Sequence, residues 1–424
     1  MELNDLPEDC LLHIFDYFPD LKQLLSLSTV CSLWNNLVKS QLKKVQYLHL
    51  IQCDGEYSWY FDALECSSYN HIYTNDLKFF EKVNVSKLLP NLKYFETSYY
   101  LDGQHCMCKA TINVLSTSNT LIGLKGESSC YKSNFSFIPH AHIDEVVRHC
   151  GNLEYLSSGF KHFIRSFFSR FGDNLKHFEA LEDFSGFYFH PGASDSFERI
   201  MAKMPNLETL SLFEEPEIEP LKGPAPKMNL KQLSIESIDI ESSTLQVLSL
   251  FPELPSLYLS FAYQGKAKAF STSRIHPNVQ DLVLEVPIEA AEVVHCGKLI
   301  NSVLANFPNC KNLMIWIRFG FTDKEMVFKI IEMLPNLNLF VLHIDDINGT
   351  WKDLDYFDTV DKHCKSIGRR VAFYIVIDVD FHKKIRYSVN EDIASPFKTD
   401  NPFVHKYFRC IKIHIHQFSN LKQR

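Results

Sequence analysis

Histidine and cysteine gather between residues 105 and 150. His105, Cys106 and Cys108 stand together in "HCMC", and Cys130, His140, His142, His149 and Cys150 follow. These residue types bind zinc, and structural zinc sites hold the metal through pairs of ligands spaced C-x2–4-C. The 12 cysteines are scattered and contain no C-x-x-C, so the expectation is no metal. His414 and His416 alternate in a strand-like run and read as one polar strand face. The phosphate-cradling G-x-G-x-x-G and G-x-x-x-x-G-K-[ST] loops and the G-x-S-x-G nucleophile elbow are missing from a chain with only 15 glycines. The reading is therefore a non-catalytic protein with no cofactor, and an enzyme stands last among the alternatives.

The elements that would carry any other function must be read from pattern. The chain has 424 residues, 46% of them hydrophobic, with a formal net charge of -8. That is ample for a buried core and for two or three domains. A mildly acidic chain without basic blocks does not call for nucleic acid. No uncharged apolar run approaches the ~20 residues of a membrane span, which argues against a membrane. Met1–Cys10 is acidic where a secretory signal would be basic and then apolar. Scattered cysteines suit a reducing compartment, so the expected location is cytoplasmic and/or nuclear.

The run "LPEDCLLHIFDYF" opens a helix. Pro7 suits a first turn, Glu8 and Asp9 suit the positive end of the dipole, and Leu11, Ile14, Phe15 and Phe18 share one face. Pro19 ends it, and Asp20 is a plausible N-cap for a second helix with Leu21, Leu24, Leu25 and Leu27. A third carries Val30, Trp34, Leu37 and Val38, with Cys31 beside the stripe. A unit of about 35 residues is too small to bury so much apolar surface alone. It docks on the rest of its chain or on another protein, and composition does not choose between them.

The residues themselves add a resemblance. Leu6-Pro7, Leu11-Leu12, Ile14-Phe15, the leucine-rich second helix, Val30-Cys31 and Trp34 follow in the order and spacing of an F-box, and residues 1–43 resemble that domain. The resemblance implies a Skp-family adaptor as partner and, through it, a cullin with a RING subunit. It makes Leu6, Pro7, Leu11, Ile14, Phe15, Leu24, Val30, Cys31 and Trp34 the expected adaptor contacts, with Leu25, Leu27 and Leu37 as internal core.

Beyond residue 44 an L-x-x-L-x-L phrase recurs, often after Pro-Asn. Clear copies are "MPNLETLSL", "MNLKQLSI", "FPELPSLYL", "HPNVQDLVL", "FPNCKNLMI" and "LPNLNLFVL"; "KKVQYLHL", "LPNLKYFET", "NTLIGLKG", "CGNLEYLSS" and "DNLKHFEAL" are weaker. The first apolar residue plugs the turn into a strand, and the fourth and sixth point into the core by the period of two. Helix-like segments such as "GKLINSVLANF" lie between copies. A repeated strand and helix stacks into a solenoid. The expected fold class is α/β: a three-helix N-terminal domain at 1–43, then an irregular leucine-rich-repeat solenoid at 44–350 with parallel strands on the concave face and helices on the convex face. A repeat or capping unit follows at 351–424. The Asn or Cys expected after each strand is mostly absent, with Glu215, Ile238, Pro287, Arg318 and Asp345 in its place. Residues 51–90 fit no repeat, and Glu214–Met228, with four prolines, reads as a loop.

The strand positions opposite the core line the concave face, which turns more apolar toward the C-terminal copies. Tyr258, Met314, Trp316 and Val341 are the expected anchors for a client protein of unknown identity. The combination resembles the F-box and leucine-rich-repeat family, which implies a substrate-recognition subunit of a cullin-RING ubiquitin ligase. The alternative is an adaptor-bound interaction scaffold that delivers no client.

Overall fold

A computed structural model describes residues 6–52, 70–99, 108–128, 140–159, 161–181, 197–216, 228–239, 245–262, 275–287, 293–318, 325–344 and 355–377. The chain forms two compact units, residues 1–182 and 183–424. His105, Cys106 and Met107 of "HCMC", most of the proline-rich stretch after Glu214 and the His414/His416 run lie outside the described residues.

The first unit starts with α1 (Glu8–Phe15), α2 (Leu21–Leu27) and α3 (Ser32–Leu42). Asp20 caps α2 as expected, its carboxylate accepting from the Lys22 N–H at 2.8 Å. Then come β1 (Tyr47–Gln52), β2 (His71–Thr74), α4 (Leu77–Phe80), α5 (Val85–Leu88), β3 (Tyr94–Tyr99), α6 (Cys108–Thr117), β4 (Gly123–Ser128), α7 (His140–Arg148), β5 (Tyr155–Ser158), α8 (Lys161–Phe171) and β6 (His177–Ala180). All pairings are parallel, in the order β2-β1-β3-β4-β5-β6.

The second unit has α9 (Phe197–Met201), β7 (Thr209–Leu212), β8 (Gln232–Ile238), β9 (Ser256–Phe261), β10 (Asp281–Pro287), α10 (Val293–Leu304), β11 (Asn312–Arg318), α11 (Glu325–Met333), β12 (Leu339–Ile344), α12 (Asp355–Ser366) and β13 (Ala372–Ile377). These strands pair in parallel in chain order from β7 to β13. The segment after 350 therefore continues the sheet through β13.

The apolar template works as its spacing requires. Leu207, Leu230, Leu254, Val279, Cys310 and Leu337 are at most 5% exposed, and the fourth and sixth positions of each clear copy, from Leu210 and Leu212 to Phe340 and Leu342, are at 0%. Burial pushes the Cys310 thiol up to about 12, so it behaves as a small apolar side chain. In "LPN", "MPN" and "FPN" the Pro and Asn are the two central residues of a β-turn. It is closed by N–H donation from Leu92 to Leu89, Leu207 to Met204, Cys310 to Phe307 and Leu337 to Leu334. Proline presets the second residue of such a turn.

The asparagine does a second job. Its side-chain amide reaches back one repeat: Asn91 donates to the Lys43 carbonyl at 2.7 Å, Asn278 to Pro252 at 3.0 Å and Asn309 to Pro277 at 3.0 Å. Asn336 donates to the Asn309 side-chain oxygen at 3.0 Å. Stitching expected from an asparagine after the strand comes from one ahead of it. A backbone ladder runs beside it. One carbonyl per repeat accepts two N–H groups of the next, as Gln280 accepts from Lys311 and Asn312, and Lys311 from Asn338 and Leu339.

Arg369 locks α12 and β13 to the preceding repeat. Gly368, with φ of 70°, ends α12 in a Schellman arrangement: Arg369 N–H donates to Cys364 at 2.8 Å and Gly368 N–H to Lys365 at 3.0 Å. The Arg369 guanidinium then donates to the carbonyls of Ile331, Leu334 (2.6 Å) and Leu337 (3.3 Å), at and after the end of α11, where helix carbonyls run out of intrahelical donors. Arg369→Ala is expected to lower stability by about 2–3 kcal/mol, because it leaves partly buried carbonyls without a charged donor. Urea unfolding with Arg369→Lys as control checks it, since lysine keeps the charge but loses the fork.

Candidate functional site

The helical segment is built around its own core. Leu11, Phe15, Leu21, Leu24, Leu37, Val38 and Leu42 are at most 4% exposed. Phe15 and Trp34 meet edge to face at 5.3 Å, and the Gln41 side-chain amide donates to Asp16 at 2.5 Å. The segment also docks on the sheet. The Tyr73 N–H of β2 donates to the Pro19 carbonyl at 2.9 Å, α2 packs on β2, and Asn91 holds the Lys43 carbonyl. The apolar stripe of the first helix is thus largely covered within the first unit.

This corrects part of the expected adaptor surface. Leu11, Phe15 and Leu24, at 0%, 1% and 1% exposure, are core residues. Helical periodicity marks an apolar face without saying what fills it. Pro7 is exposed, Val30 is 57% exposed, and Leu6, Ile14, Cys31 and Trp34 keep partial exposure. Leu37 is core as expected, whereas Leu25 and Leu27 are only half-buried. Tyr17, 72% exposed and edge to face with His13 at 5.6 Å, was not among the expected contacts. It falls just past α1, off the helical spacing that selected the others.

The expected client anchors are also rearranged. Tyr258, Val283, Met314, Val341 and Tyr374 are in register across β9–β13. They form one apolar row with Leu339 and Ala372, in which Tyr258, Met314 and Val341 are only 1%, 5% and 1% exposed. These three are not exposed anchors: alternation tells which face a side chain takes, not whether that face is covered. The Tyr258 hydroxyl donates to the buried Glu285 carboxylate. Trp316 stays partly exposed and stacks on His343 at 4.9 Å with an interplanar angle of 5°.

The corresponding face of the first unit holds a group that the sequence reading passed over. Two positions after the first apolar residue of each early copy stand Tyr47, Tyr94, Gly123, Tyr155 and His177, aligned in register, with His71 beside Tyr47. Tyr47 meets His71 at 4.3 Å. Tyr94 meets Tyr155 at 5.7 Å, with Gly123 between them in the register, and Tyr155 lies flat on His177 at 4.2 Å and 3°. The next row carries Tyr73, His49, Glu96, Lys125, Ser157 and Glu179. Lys125 pairs with Glu96 at 3.2 Å, and the Ser157 hydroxyl donates to Glu179 at 2.5 Å. Burial, with repulsion from His71 and Lys125, lowers His49 to about 3. Burial lowers His71 to about 4. The signal was the aromatic or histidine at the third position of "VQYL", "LKYF", "LEYL" and "LKHF".

Among the described residues no cluster of histidine, cysteine and carboxylate has the form of a metal site, and no helix is long and apolar enough to cross a membrane. Of the earlier zinc-type residues, Cys150 is buried, its thiol pushed up by desolvation and donating to the Val146 carbonyl at 3.3 Å.

Comparison with protein families places an F-box-like domain at residues 3–48. That match takes in the three helices and ends inside β1. Comparison with curated proteins gives no match.

Proposed function

We propose that this chain is the substrate-recognition subunit of a cullin-RING ubiquitin ligase. Its helical segment docks a Skp-family adaptor, which brings the cullin and its RING subunit, and its strand-and-helix region holds a client protein. The observation that carries the reading is the F-box-like match at residues 3–48, joined to the accessible apolar positions Pro7 and Val30 in that segment. The chain itself performs no chemistry in this reading. It supplies proximity, turning a rare encounter between client and charged ubiquitin-conjugating enzyme into an effectively intramolecular one. The scattered cysteines support a cytoplasmic or nuclear setting. Trp316 is the remaining client-side candidate of the second unit.

The test is co-expression with a Skp-family adaptor and purification through the adaptor, comparing wild type with Pro7→Ala/Val30→Asp. The double variant is expected to lose co-purification while its circular dichroism stays that of wild type. A wild-type chain that does not co-purify rejects the adaptor reading. An intact complex that shortens no client's lifetime in cells favours the interaction scaffold.

A further inference from the structure

We infer that the helical segment is the end cap of the first unit's sheet and opens and closes with β2, β1 and β3 as one cooperative body, so that adaptor docking is thermodynamically linked to the strands beside it. The link to the adaptor rests on the proposed function; the capping does not.

The joint is made largely of backbone. β2 is the outermost strand of the order β2-β1-β3, and an outermost strand carries N–H and C=O groups on the side away from its neighbour, which must be covered. The Tyr73 N–H of β2 donates to the Pro19 carbonyl at 2.9 Å, and Asp20 and Tyr73 form a parallel bridge. The turn between α1 and α2 therefore lies along β2 as a one-residue strand. α2 starts at the next residue, is capped by the same Asp20 and packs on β2, with Leu21 and Leu24 each 1% exposed.

The far end of the segment is held as well. The Lys43 carbonyl, just past α3, accepts from the Asn91 side chain at 2.7 Å. The Gln46 carbonyl accepts the N–H groups of Lys93 at 2.8 Å and Tyr94 at 2.9 Å, while Gln46 and Tyr47 donate to the Asn70 carbonyl at 2.9 and 3.0 Å. Within the segment, the Gln41 amide ties α3 to Asp16 at the end of α1. The α2–α3 pair is thus clamped to β2 in front and to β3 behind. It cannot leave the sheet without breaking both clamps, and elements that open only together share one opening free energy. A partner that binds the closed form alone then slows the opening of every element in the body by the same factor.

The experiment is hydrogen exchange on the full chain, read at residues 46–50, 71–74 and 93–97, with residues 337–343 of the second unit as reference. Leu11 is 0% exposed in the helical core and belongs to neither clamp. Leu11→Ala, with Leu11→Val as the milder step, is expected to speed exchange in the three strands and in the helices alike, by about thirtyfold or more for alanine, and to leave the reference unchanged. A Skp-family adaptor at about 100 times its Kd is expected to slow the same three strands about a hundredfold, as it slows the helices. Tyr73→Pro removes the N–H given to Pro19 at a site where an edge strand tolerates proline. It is expected to keep adaptor co-purification and to cut the adaptor's effect on the strands to less than about tenfold. Strands that keep wild-type rates in both Leu11 variants overturn the inference, and so does an adaptor that binds and slows the helices alone. If the adaptor does not co-purify with wild type, the proposed function fails, and the Leu11 variants still decide the capping.

Discussion

Leu11→Asp is expected to unfold the helical segment, and Val30→Asp is expected to leave it folded, although both place a carboxylate on the same apolar-looking stretch of sequence. Leu11 is 0% exposed among Phe15, Leu24 and Leu37, each at most 4% exposed. Removing its side chain alone would cost about 2–5 kcal/mol, and an unpaired charge there adds several more. Total stabilities of about 5–15 kcal/mol leave little after such a loss. Val30 is 57% exposed, where substitutions usually change stability by about 0.5 kcal/mol or less. Limited proteolysis and far-ultraviolet circular dichroism separate the two: cleavage before residue 45 in Leu11→Asp, protection in Val30→Asp. A protease-resistant Leu11→Asp chain would show that the residue faces outward after all. Loss of adaptor binding in Leu11→Asp would by itself say nothing about an interface.

The second large effect is acid destabilisation from two histidines. His49 is lowered to about 3 and His71 to about 4, the first by burial and then by its neighbours His71 and Lys125, the second by burial. In the unfolded chain both take a proton near pH 6.5. Between that value and about 4 the unfolded state therefore binds more protons than the folded one, and stability falls as the pH falls. Each histidine contributes about 1.4 kcal/mol per pH unit across that window. Above pH 7 neither contributes. A ring nitrogen of His49 hydrogen-bonds the Ser98 hydroxyl at 2.8 Å; urea unfolding from pH 7.5 to 4.5 measures the slope, and His49→Gln, chosen to keep a hydrogen-bonding group there, removes its share. An unaltered slope in both His49→Gln and His71→Gln would mean that other groups govern the acid limb.

Much of the framework was legible because it follows rigid periods. The fourth and sixth apolar positions of the clear copies are all core, and the helix-like "GKLINSVLANF" lies mostly in α10 (Val293–Leu304). Asp20 was readable as a cap because only a short side-chain acceptor serves there. What periods do not encode is coverage. Leu11 and Phe15 share a stripe with Ile14, yet those two are buried while Ile14 keeps part of its surface. The alternation that puts Tyr258, Met314 and Val341 on the face opposite the core is silent about their close packing with Leu339, Ala372 and Tyr374. β2 (His71–Thr74) escaped detection because four residues with one aliphatic among them carry no pattern, and its partner β1 lies some twenty residues back. The aromatic row was visible in the weaker copies, but its weight depends on register, which brings Tyr94 and Tyr155 together across a glycine.

The asparagine stitches and the shared carbonyls have one more consequence. Every link of that ladder spans a single repeat: Asn309 reaches Pro277, and Lys311 and Asn312 reach Gln280. Among the described residues none of these links is anchored in the returning segments, whose length in the chain is greater before Cys310 than before Leu230. The return path is therefore free to change length while the spacing of the strands stays set by the turn residues. A chain of this design can acquire or lose residues on its outer side without moving the row of side chains it presents on the other. New recognition can arise there by substitution alone, one position per repeat, against a scaffold that keeps its pitch.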